Sequence, residues 1–209
     1  MPRIKLLIST VLGLLVLFLL WKFFLDQQEV KNYPSRGETI IAFGDSLTFG
    51  EGVKPEENYV SLLERRLGTR IVNAGVSGDT TAAALKRLPE LLQKYPKPKV
   101  VIVMLGGNDF LQRKPKEETY ANLAAIISAI QEKGGIVLLV GVRGGLFTDG
   151  FASEYKRLAK KYQAAHFPNI LKGILGEPSL LEDTIHPNAR GHAKMADRLE
   201  PVLRKLINL

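Results

Sequence analysis

Ser46, Asp183 and His186 are residues whose types and spacing could do nucleophilic chemistry. Ser46 lies in the glycine-bounded block 44–50, a turn composition that would expose its hydroxyl. A serine hydroxyl attacks a carbonyl only when a base takes its proton, and imidazole is the usual base. Asp183 precedes His186 by three residues and could accept a hydrogen bond from the other imidazole nitrogen, which would fix the tautomer.

Three further blocks have a composition typical of loops at a site: the first two are rich in glycine and polar residues, and the third combines Asp and His before a proline. They are 73–80 (Asn-Ala-Gly-Val-Ser-Gly-Asp-Thr), 106–109 (Gly-Gly-Asn-Asp) and 183–187 (Asp-Thr-Ile-His-Pro). Singly, each block is ordinary turn composition, and the last could simply begin a helix at its proline. Their combination in one chain, in this order, is what indicates a site.

The segments between these blocks alternate between strand and helix patterns. Apolar runs predict strands over 39–43, 70–74, 100–105 and 136–140, and helical spacing predicts helices over 56–67, 80–94, 116–133, 151–162 and 187–206. Apolar runs without alternation indicate a parallel sheet covered on both faces. The predicted class is α/β, a three-layer α/β/α sandwich with a mainly parallel, doubly wound sheet. Such sheets bind ligands beyond the carboxyl ends of their strands. The blocks 44–50, 73–80 and 106–109 fall at these ends.

The four blocks together resemble those of the SGNH, or GDSL, hydrolase superfamily. The four residues that name it would be Ser46, Gly78, Asn108 and His186. The resemblance runs from about Glu38 to the C-terminus. Val-Ser-Gly-Asp-Thr, Leu-Gly-Gly-Asn-Asp and Ile-His-Pro-Asn are most similar to the bacterial periplasmic thioesterase/lysophospholipase and arylesterase branch. The resemblance implies the flavodoxin-like fold of this superfamily.

The resemblance also implies the roles of the site residues. Ser46, Asp183 and His186 would be the catalytic triad. The oxyanion hole would consist of the backbone N–H groups of Ser46 and Gly78 and the side-chain amide of Asn108. The implied activity is a serine esterase or thioesterase that hydrolyses aryl esters, acyl thioesters or lysophospholipids through an acyl-serine intermediate. No cofactor or metal is expected, because the three histidines do not form a ligand pattern.

Four apolar side chains are candidates for binding the acyl group, although they could equally pack locally: Phe110, Leu111, Leu146 and Phe147. Arg143 is followed by two glycines here, where the thioesterase branch has an apolar residue and a proline. The acyl-chain preference of that branch therefore does not carry over. Asp45, Asp79 and Asp109 are interpreted as turn, cap or loop-bracing residues, and His192 as a surface or packing residue.

Two other functions use the same residues or the same scaffold. One is a carbohydrate O-acetyl esterase that acts on envelope polysaccharide. The other is an anchored binding module on an inactive hydrolase scaffold, against which the complete set of catalytic residue types argues.

Residues 1–25 predict a membrane segment, 26–37 a polar tether and 38–209 the hydrolase domain. The stretch from Ile4 to Leu25 is almost wholly apolar and approaches the length of about 20 residues that a transmembrane helix needs. No small-x-small cleavage site follows it, so an uncleaved signal-anchor is predicted, with secretion after cleavage as the alternative. Arg3 and Lys5 favour a cytoplasmic N-terminus, which places the domain on the periplasmic or extracellular side.

The amino-acid composition excludes several further classes of protein. The hydrophobic fraction of 45% and the charged fraction of 24% are ordinary globular values and exclude a wholly disordered chain. The absence of cysteine excludes disulfides and a thiolate nucleophile. The net charge of +8 comes from scattered basic residues without a nucleic-acid-binding motif, and the densest stretch, 94–99, is interpreted as solvated surface. Together with the anchor, this charge would keep the protein near anionic lipid.

Overall fold

The computed structural model describes residues 29–142 and 151–208. Five strands form one sheet: β1 Thr39–Gly44, β2 Ile71–Gly75, β3 Pro98–Met104, β4 Ile136–Val140 and β5 Ala165–Phe167. The helices are α1 Ser46–Phe49, α2 Tyr59–Leu67, α3 Thr81–Lys94, α4 Gly107–Leu111, α5 Lys116–Glu132, α6 Phe151–Lys161 and α7 Ala189–Ile207. One 3₁₀ turn covers Pro178–Leu180.

All neighbouring strands of the sheet pair in parallel, in the order β2-β1-β3-β4-β5. The winding reverses between β1 and β3. A parallel sheet of this order has a crevice at that reversal, beyond the carboxyl ends of the two strands. The predicted α/β class with a parallel sheet is therefore confirmed, and the crevice is where the site should lie.

Successive strand residues enter two separate cores on the two faces of the sheet. On one face, Ile102 belongs to a cluster with residues of α2 and α7. On the other face, Val103 belongs to a cluster with residues of α3, α5 and α6. Both Ile102 and Val103 are fully buried, which explains why β3 is apolar at every position rather than at alternate ones.

The shortest elements of the fold were not predicted from the sequence. Strand β5 has only three residues, all partly exposed at the edge of the sheet, so it leaves no apolar run to detect. Helices α1 and α4 are single turns.

The predicted transmembrane segment lies outside the described residues, and within 29–142 and 151–208 none of the helices combines the length and hydropathy that crossing a bilayer requires.

The described part of the tether, 29–37, is bound to the domain. The side-chain amide of Asn32 donates to the carbonyl oxygens of Gln131 and Gly135 at 2.9 and 3.0 Å, and the backbone N–H of Lys31 donates to Gln163 at 2.8 Å. These acceptors lie just before β4 and β5. The tether therefore crosses the end of the sheet where the strands begin, which we call the amino edge.

His192, in the first turn of α7, is fully buried. Its Nδ1 accepts the backbone N–H of Tyr59 at 3.2 Å, and its ring stacks on that of Tyr59. Its Nε2 is buried without a hydrogen-bond partner among the described residues. Burial and the nearby His186 charge lower the pKa of His192 to about 4. The packing interpretation of His192 therefore agrees with its surroundings.

This lowered pKa predicts acid destabilisation. In the unfolded chain His192 binds its proton near pH 6.5, whereas in the folded chain it does so only near pH 4. The stabilisation that neutral His192 gives the folded state is therefore fully present above pH 6.5 and is lost as the pH falls toward 4. We expect His192 to contribute about 3 kcal/mol to the fall in unfolding free energy over that window.

The measurement is urea unfolding of the wild type and of His192→Asn between pH 4 and pH 7. An asparagine oxygen can still accept the Tyr59 N–H but does not titrate. The variant should be less stable at neutral pH and should show a flatter dependence on pH. Equal slopes for the two proteins would contradict the assignment.

Candidate active site

Ser46 begins α1 directly after the carboxyl end of β1. Asp45 caps this helix, and its Oδ1 accepts the backbone N–H of Leu47 at 3.1 Å. A Cβ at Gly44 would lie 2.2 Å from Thr48 Oγ1 and 2.6 Å from the Met104 carbonyl oxygen. Only glycine therefore fits where β1 turns into α1, and this tight turn presents Ser46 at the mouth of the crevice.

His186 and Asp183 meet Ser46 from the loop that precedes α7. His186 Nε2 lies 3.1 Å from Ser46 Oγ, and His186 Nδ1 lies 2.7 Å from Asp183 Oδ2. Asp183 Oδ1 accepts the backbone N–H groups of Ile185 and His186 at 2.8 and 2.7 Å. These hydrogen bonds, that from the His186 side chain first, lower the pKa of Asp183 to about 2. A carboxylate, an imidazole and a hydroxyl thus form one continuous chain of hydrogen-bonding contacts.

Asn108 and Gly78 come from the ends of the two strands that flank β1. Asn108 lies in α4, and its Nδ2 donates to the carbonyl oxygen of Asp79 at 3.0 Å. Gly78, with a φ of +81°, directly precedes that carbonyl residue. Asn108 and Ser46 line the same pocket. The structure therefore brings Asn108 next to the turn that contains Gly78.

Arg87 contacts two of the loops that form the site, although its sequence context did not predict this. Its Nε lies 2.6 Å from Asp79 Oδ2, and its Nη2 donates to the Gly44 carbonyl oxygen at 3.1 Å. Its guanidinium carbon lies 4.3 Å from the centre of the Phe43 ring. The Arg87 guanidinium thus connects the turn before Ser46 with the turn after Gly78. In the sequence, an arginine in the middle of a helix gives no signal for this.

We therefore expect Arg87 to be a positioning residue. Arg87→Leu should lower kcat by about 10- to 100-fold with KM little changed, because misplacement of donors by about 1 Å can cost that much. Arg87→Lys can keep one of the two contacts and should recover part of kcat. Steady-state kinetics with a soluble ester at a temperature where all variants are folded is the measurement. Arg157→Leu, which removes an exposed ion pair to Glu154, is the control. A change in KM alone would contradict this role.

Asp109 connects α4 with the start of α3. Its carboxylate accepts the Thr81 backbone N–H at 2.8 Å and the Thr81 hydroxyl at 2.5 Å. Asp109 is buried, so these bonds fix the start of α3 against α4. Asp79 and Asp109 thus brace loops, in agreement with their sequence interpretation.

Asp45 is buried beside Ser46. Burial raises its pKa to about 7, against the opposing effect of the Leu47 hydrogen bond. Asp45 belongs to the wall of the pocket, and its contact with Leu47 is that of a helix cap. The turn-residue interpretation of Asp45 therefore agrees with its geometry.

A pocket of about 340 Å³ opens beside Ser46 and His186, within the usual range for small-molecule sites. Phe110 and Leu111, two of the four candidates for acyl-group binding, line this pocket. Leu146 and Phe147 lie outside the described residues. Other apolar residues that were not predicted from the sequence also line it, namely Leu47, Val142, Leu171, Leu175 and Ile185. Most of the pocket wall is apolar, so it suits a hydrocarbon chain rather than a polar group.

The described residues offer no metal site. Among residues 29–142 and 151–208, no three histidine or carboxylate side chains converge as metal ligands would.

A family profile matches residues 42–194, a span that includes Ser46, Gly78, Asn108 and His186. The chain belongs to the GDSL-like Lipase/Acylhydrolase family. This GDSL-like hydrolase is 32% identical over 181 residues to Esterase TesA of Pseudomonas aeruginosa, covering 81% of this chain and 90% of that protein. It is 31% identical over 179 residues to Thioesterase 1/protease 1/lysophospholipase L1 of Escherichia coli, covering 82% of this chain and 86% of the relative.

Solved structures agree with the family. A crystal structure of TesA superposes on this GDSL-like hydrolase with a TM-score of 0.76 at 31% identity, covering 81% of this chain and 99% of the other. The predicted family and the predicted class of enzyme, an acyl ester or thioester hydrolase, are thus confirmed.

Proposed function

We propose that this hydrolase is a serine esterase or thioesterase that acts through an acyl-serine intermediate formed on Ser46. One observation carries the proposal: His186 Nε2 lies 3.1 Å from Ser46 Oγ while Nδ1 of the same ring lies 2.7 Å from Asp183. The distances are those of a base within hydrogen-bond reach of a nucleophile and oriented by a third group.

Acylation begins as Ser46 Oγ attacks the carbonyl carbon of the ester. His186 Nε2 takes the hydroxyl proton, and the Asp183 carboxylate stabilises the imidazolium that forms. The tetrahedral intermediate then collapses and breaks the bond to the alcohol or thiol. His186 gives its proton to that leaving group, and the acyl group remains on Ser46.

Deacylation repeats these steps with water as the nucleophile. His186 Nε2 takes a proton from a water molecule that attacks the acyl-serine carbonyl carbon. Collapse of the second tetrahedral intermediate breaks the bond to Ser46 Oγ, which regains a proton from His186. The products are the free acid and the resting enzyme.

Three N–H donors would stabilise the negative oxygen of both intermediates: the backbone groups of Ser46 and Gly78 and the side chain of Asn108. The Asn108 amide nitrogen has two hydrogens. One is directed to the Asp79 carbonyl oxygen, which holds the amide so that the other can face the pocket. Preorganised donors of this kind are usually a large part of catalysis.

The apolar pocket favours esters of a hydrocarbon acid as substrates. The relatives named as an esterase and as a thioesterase and lysophospholipase have the same substrate chemistry. We therefore propose acyl esters, acyl thioesters or lysophospholipids as the substrate class.

The test is a panel of p-nitrophenyl esters and coenzyme A thioesters with acetyl, butyryl, octanoyl and lauroyl groups. We expect kcat/KM to rise from acetate to octanoate, because each buried methylene contributes up to about 0.8 kcal/mol. Leu175→Trp, which would fill part of the pocket, should shift the preference toward shorter chains. Glu177→Gln, an exposed neighbour, should not.

Two outcomes of the panel would point elsewhere. Activity confined to acetyl groups would favour the carbohydrate O-acetyl esterase. Absence of turnover, together with no labelling of Ser46 by a fluorophosphonate, would favour a binding module on an inactive scaffold.

We further propose that residues 1–25 anchor the protein in a membrane with the domain on the periplasmic or extracellular side. The apolar run and the basic residues before it support this orientation. Membrane fractionation with N-terminal sequencing is the test. A mature protein that begins beyond Leu25 would instead indicate cleavage and secretion.

A further inference from the structure

Basic side chains that are scattered in the sequence converge on the amino edge of the sheet. In this fold the strands begin, and the long helices end, at that edge. The basic residues there, all exposed except the partly exposed Lys99, are Lys31, Arg36, Arg70, Lys94, Lys97, Lys99, Lys133, Lys160, Lys161 and Lys205. The acidic residues of the edge include Glu29, Glu38, Glu64 and Glu132. Glu38 pairs with Lys97 at 3.0 Å, and Glu64 accepts the backbone N–H of Ile71 at 2.8 Å. The amino edge therefore has a strong positive excess.

The opposite edge, around the pocket, has no such excess. Its exposed acidic residues include Glu51, Glu56, Glu117, Glu118, Glu177, Glu182 and Asp183, and its exposed basic residues include Lys54, Arg113, Lys114, Lys116, Lys172 and Arg190. The two signs are interspersed there. The net charge of +8 is thus distributed unevenly along the direction of the strands.

Compensation of helix dipoles accounts for only part of the amino edge. A lysine in or just after the last turn of a helix interacts favourably with the helix C-terminus, which accounts for Lys94, Lys133, Lys160, Lys161 and Lys205. Other basic residues of the edge lie outside helices: Lys31, Arg36, Arg70, Lys97 and Lys99. The position of these five residues is not explained by helix dipoles.

The tether reaches the domain at this same edge. Lys31 and Asn32 are hydrogen-bonded to residues that precede β5 and β4, and the Tyr33 hydroxyl lies 2.6 Å from Asn208 Oδ1 near the end of α7. Between Leu25, the last apolar residue of the N-terminal segment, and Glu29, the chain can span at most about 14 Å. A membrane that holds the segment 4–25 must therefore lie close to the amino edge.

We propose that the amino edge docks on the surface of an anionic phospholipid bilayer, the one entered by residues 4–25, and that the catalytic pocket consequently opens toward the aqueous phase. The proposal rests on the proposed anchoring and esterase function. Attraction between lysine or arginine and anionic lipid falls off within a Debye length of about 8 Å at physiological salt. The seven residues of β3 separate the two edges by about 20 Å, so only the amino edge can use this attraction.

This orientation decides which esters reach Ser46. Acyl chains that are embedded in the same bilayer lie on the far side of the domain from the pocket. Substrates of the anchored enzyme are therefore esters or thioesters that are dissolved in the aqueous phase or carried on structures beyond the membrane.

The first experiment measures the orientation directly on the full chain in vesicles. The protein has no cysteine, so Lys133→Cys at the amino edge and Lys54→Cys at the opposite edge can each carry one fluorophore. In vesicles of phosphatidylcholine with one third phosphatidylglycerol, energy transfer to a headgroup acceptor should be strong from position 133 and weak from position 54. High salt, or pure phosphatidylcholine, should reduce the difference. Equal transfer from both positions in anionic vesicles, or failure of the protein to float with them, would overturn the proposal.

A charge-reversal pair tests whether the edge itself is responsible. Lys133→Glu with Lys160→Glu should lower the ratio of docked to undocked protein about tenfold or more, because the pair removes two charges that attract anionic lipid and adds two that repel it. Lys54→Glu with Lys172→Glu makes the same charge change at the opposite edge and should leave the ratio unchanged. Equal effects of both pairs would show that only total charge matters and would overturn the proposal.

Activity in the same vesicles separates this proposal from the proposed function. All variants should hydrolyse p-nitrophenyl butyrate added to the outside at the wild-type rate. A lysophospholipid in the bilayer should be hydrolysed faster by the Lys133→Glu, Lys160→Glu protein, whose domain can reorient, than by the wild type. Loss of butyrate hydrolysis in every sample would refute the esterase function while the fluorescence still decides the docking. Wild-type hydrolysis of the embedded lipid at the rate seen in detergent would overturn the outward-facing orientation.

Discussion

Replacing Ser46 with alanine should lower kcat for a soluble p-nitrophenyl ester by about 10⁶-fold, the cost of removing a serine nucleophile from an intact site. The Ser46 hydroxyl contacts His186 Nε2 at 3.1 Å, and it lies at a partly exposed position. Its loss removes the bond-forming atom without opening a cavity in either core. The free energy of unfolding should therefore change by less than about 0.5 kcal/mol.

Stopped-flow or steady-state hydrolysis of the ester, together with urea unfolding, measures both quantities. Ser61→Ala is the matched control, because the Ser61 hydroxyl donates to the Pro55 carbonyl oxygen at an exposed place on α2. That variant should retain full activity. A Ser46→Ala protein with activity within tenfold of the wild type would exclude Ser46 as the nucleophile.

Replacing Asp183 with asparagine should lower kcat by up to about 10⁴-fold, the loss expected when the residue that orients a catalytic histidine is changed to its amide. The amide nitrogen of asparagine would face His186 Nδ1 as a donor and would hold the ring in the wrong tautomer. Asp183 is 52% exposed in its side chain, so water can replace part of its function, which makes this value an upper limit.

The control is Glu182→Gln, which removes the same charge from the neighbouring exposed residue and should leave kcat within about twofold, since exposed charges contribute little. Hydrogen bonds, that from His186 foremost, keep the pKa of Asp183 at about 2, below its ordinary value of 3.8. Its charged form is therefore present throughout pH 5–9, and titration of Asp183 should not shape the pH profile there. An Asp183→Asn enzyme with wild-type kcat would exclude the triad.

The four main strands and five long helices could be predicted from local pattern. Apolar runs as in 100–105 and the helical spacing of 116–133 depend only on neighbouring residues, so the sequence contains them directly. The edge strand β5 could not be predicted in this way. Its three residues pair with β4 alone and are partly exposed, so no local burial pattern marks them.

The residues that carry the chemistry of the candidate site could be predicted from the sequence, whereas most residues of the pocket wall could not. Ser46, Gly78 and Asn108 follow three adjacent parallel strands, and parallel strands end at one edge. The pocket wall was harder. Leu171 and Leu175 lie in an irregular loop where an apolar residue carries no periodic signal, and Arg87 has the sequence context of a solvent-facing helix residue. Their contacts exist only after α3 and the loop beyond β5 have packed.

The sequence by itself determined which chemical groups are present, in what order, and that parallel strands would deliver them to a common edge. Only the tertiary structure decided that His186 Nε2 lies 3.1 Å from a hydroxyl 140 positions away in the chain, and that dispersed lysines and arginines share the edge opposite the pocket. The physical reason is that local pattern follows from neighbouring side chains, whereas these distances and this distribution of charge depend on how the helices and strands pack against one another.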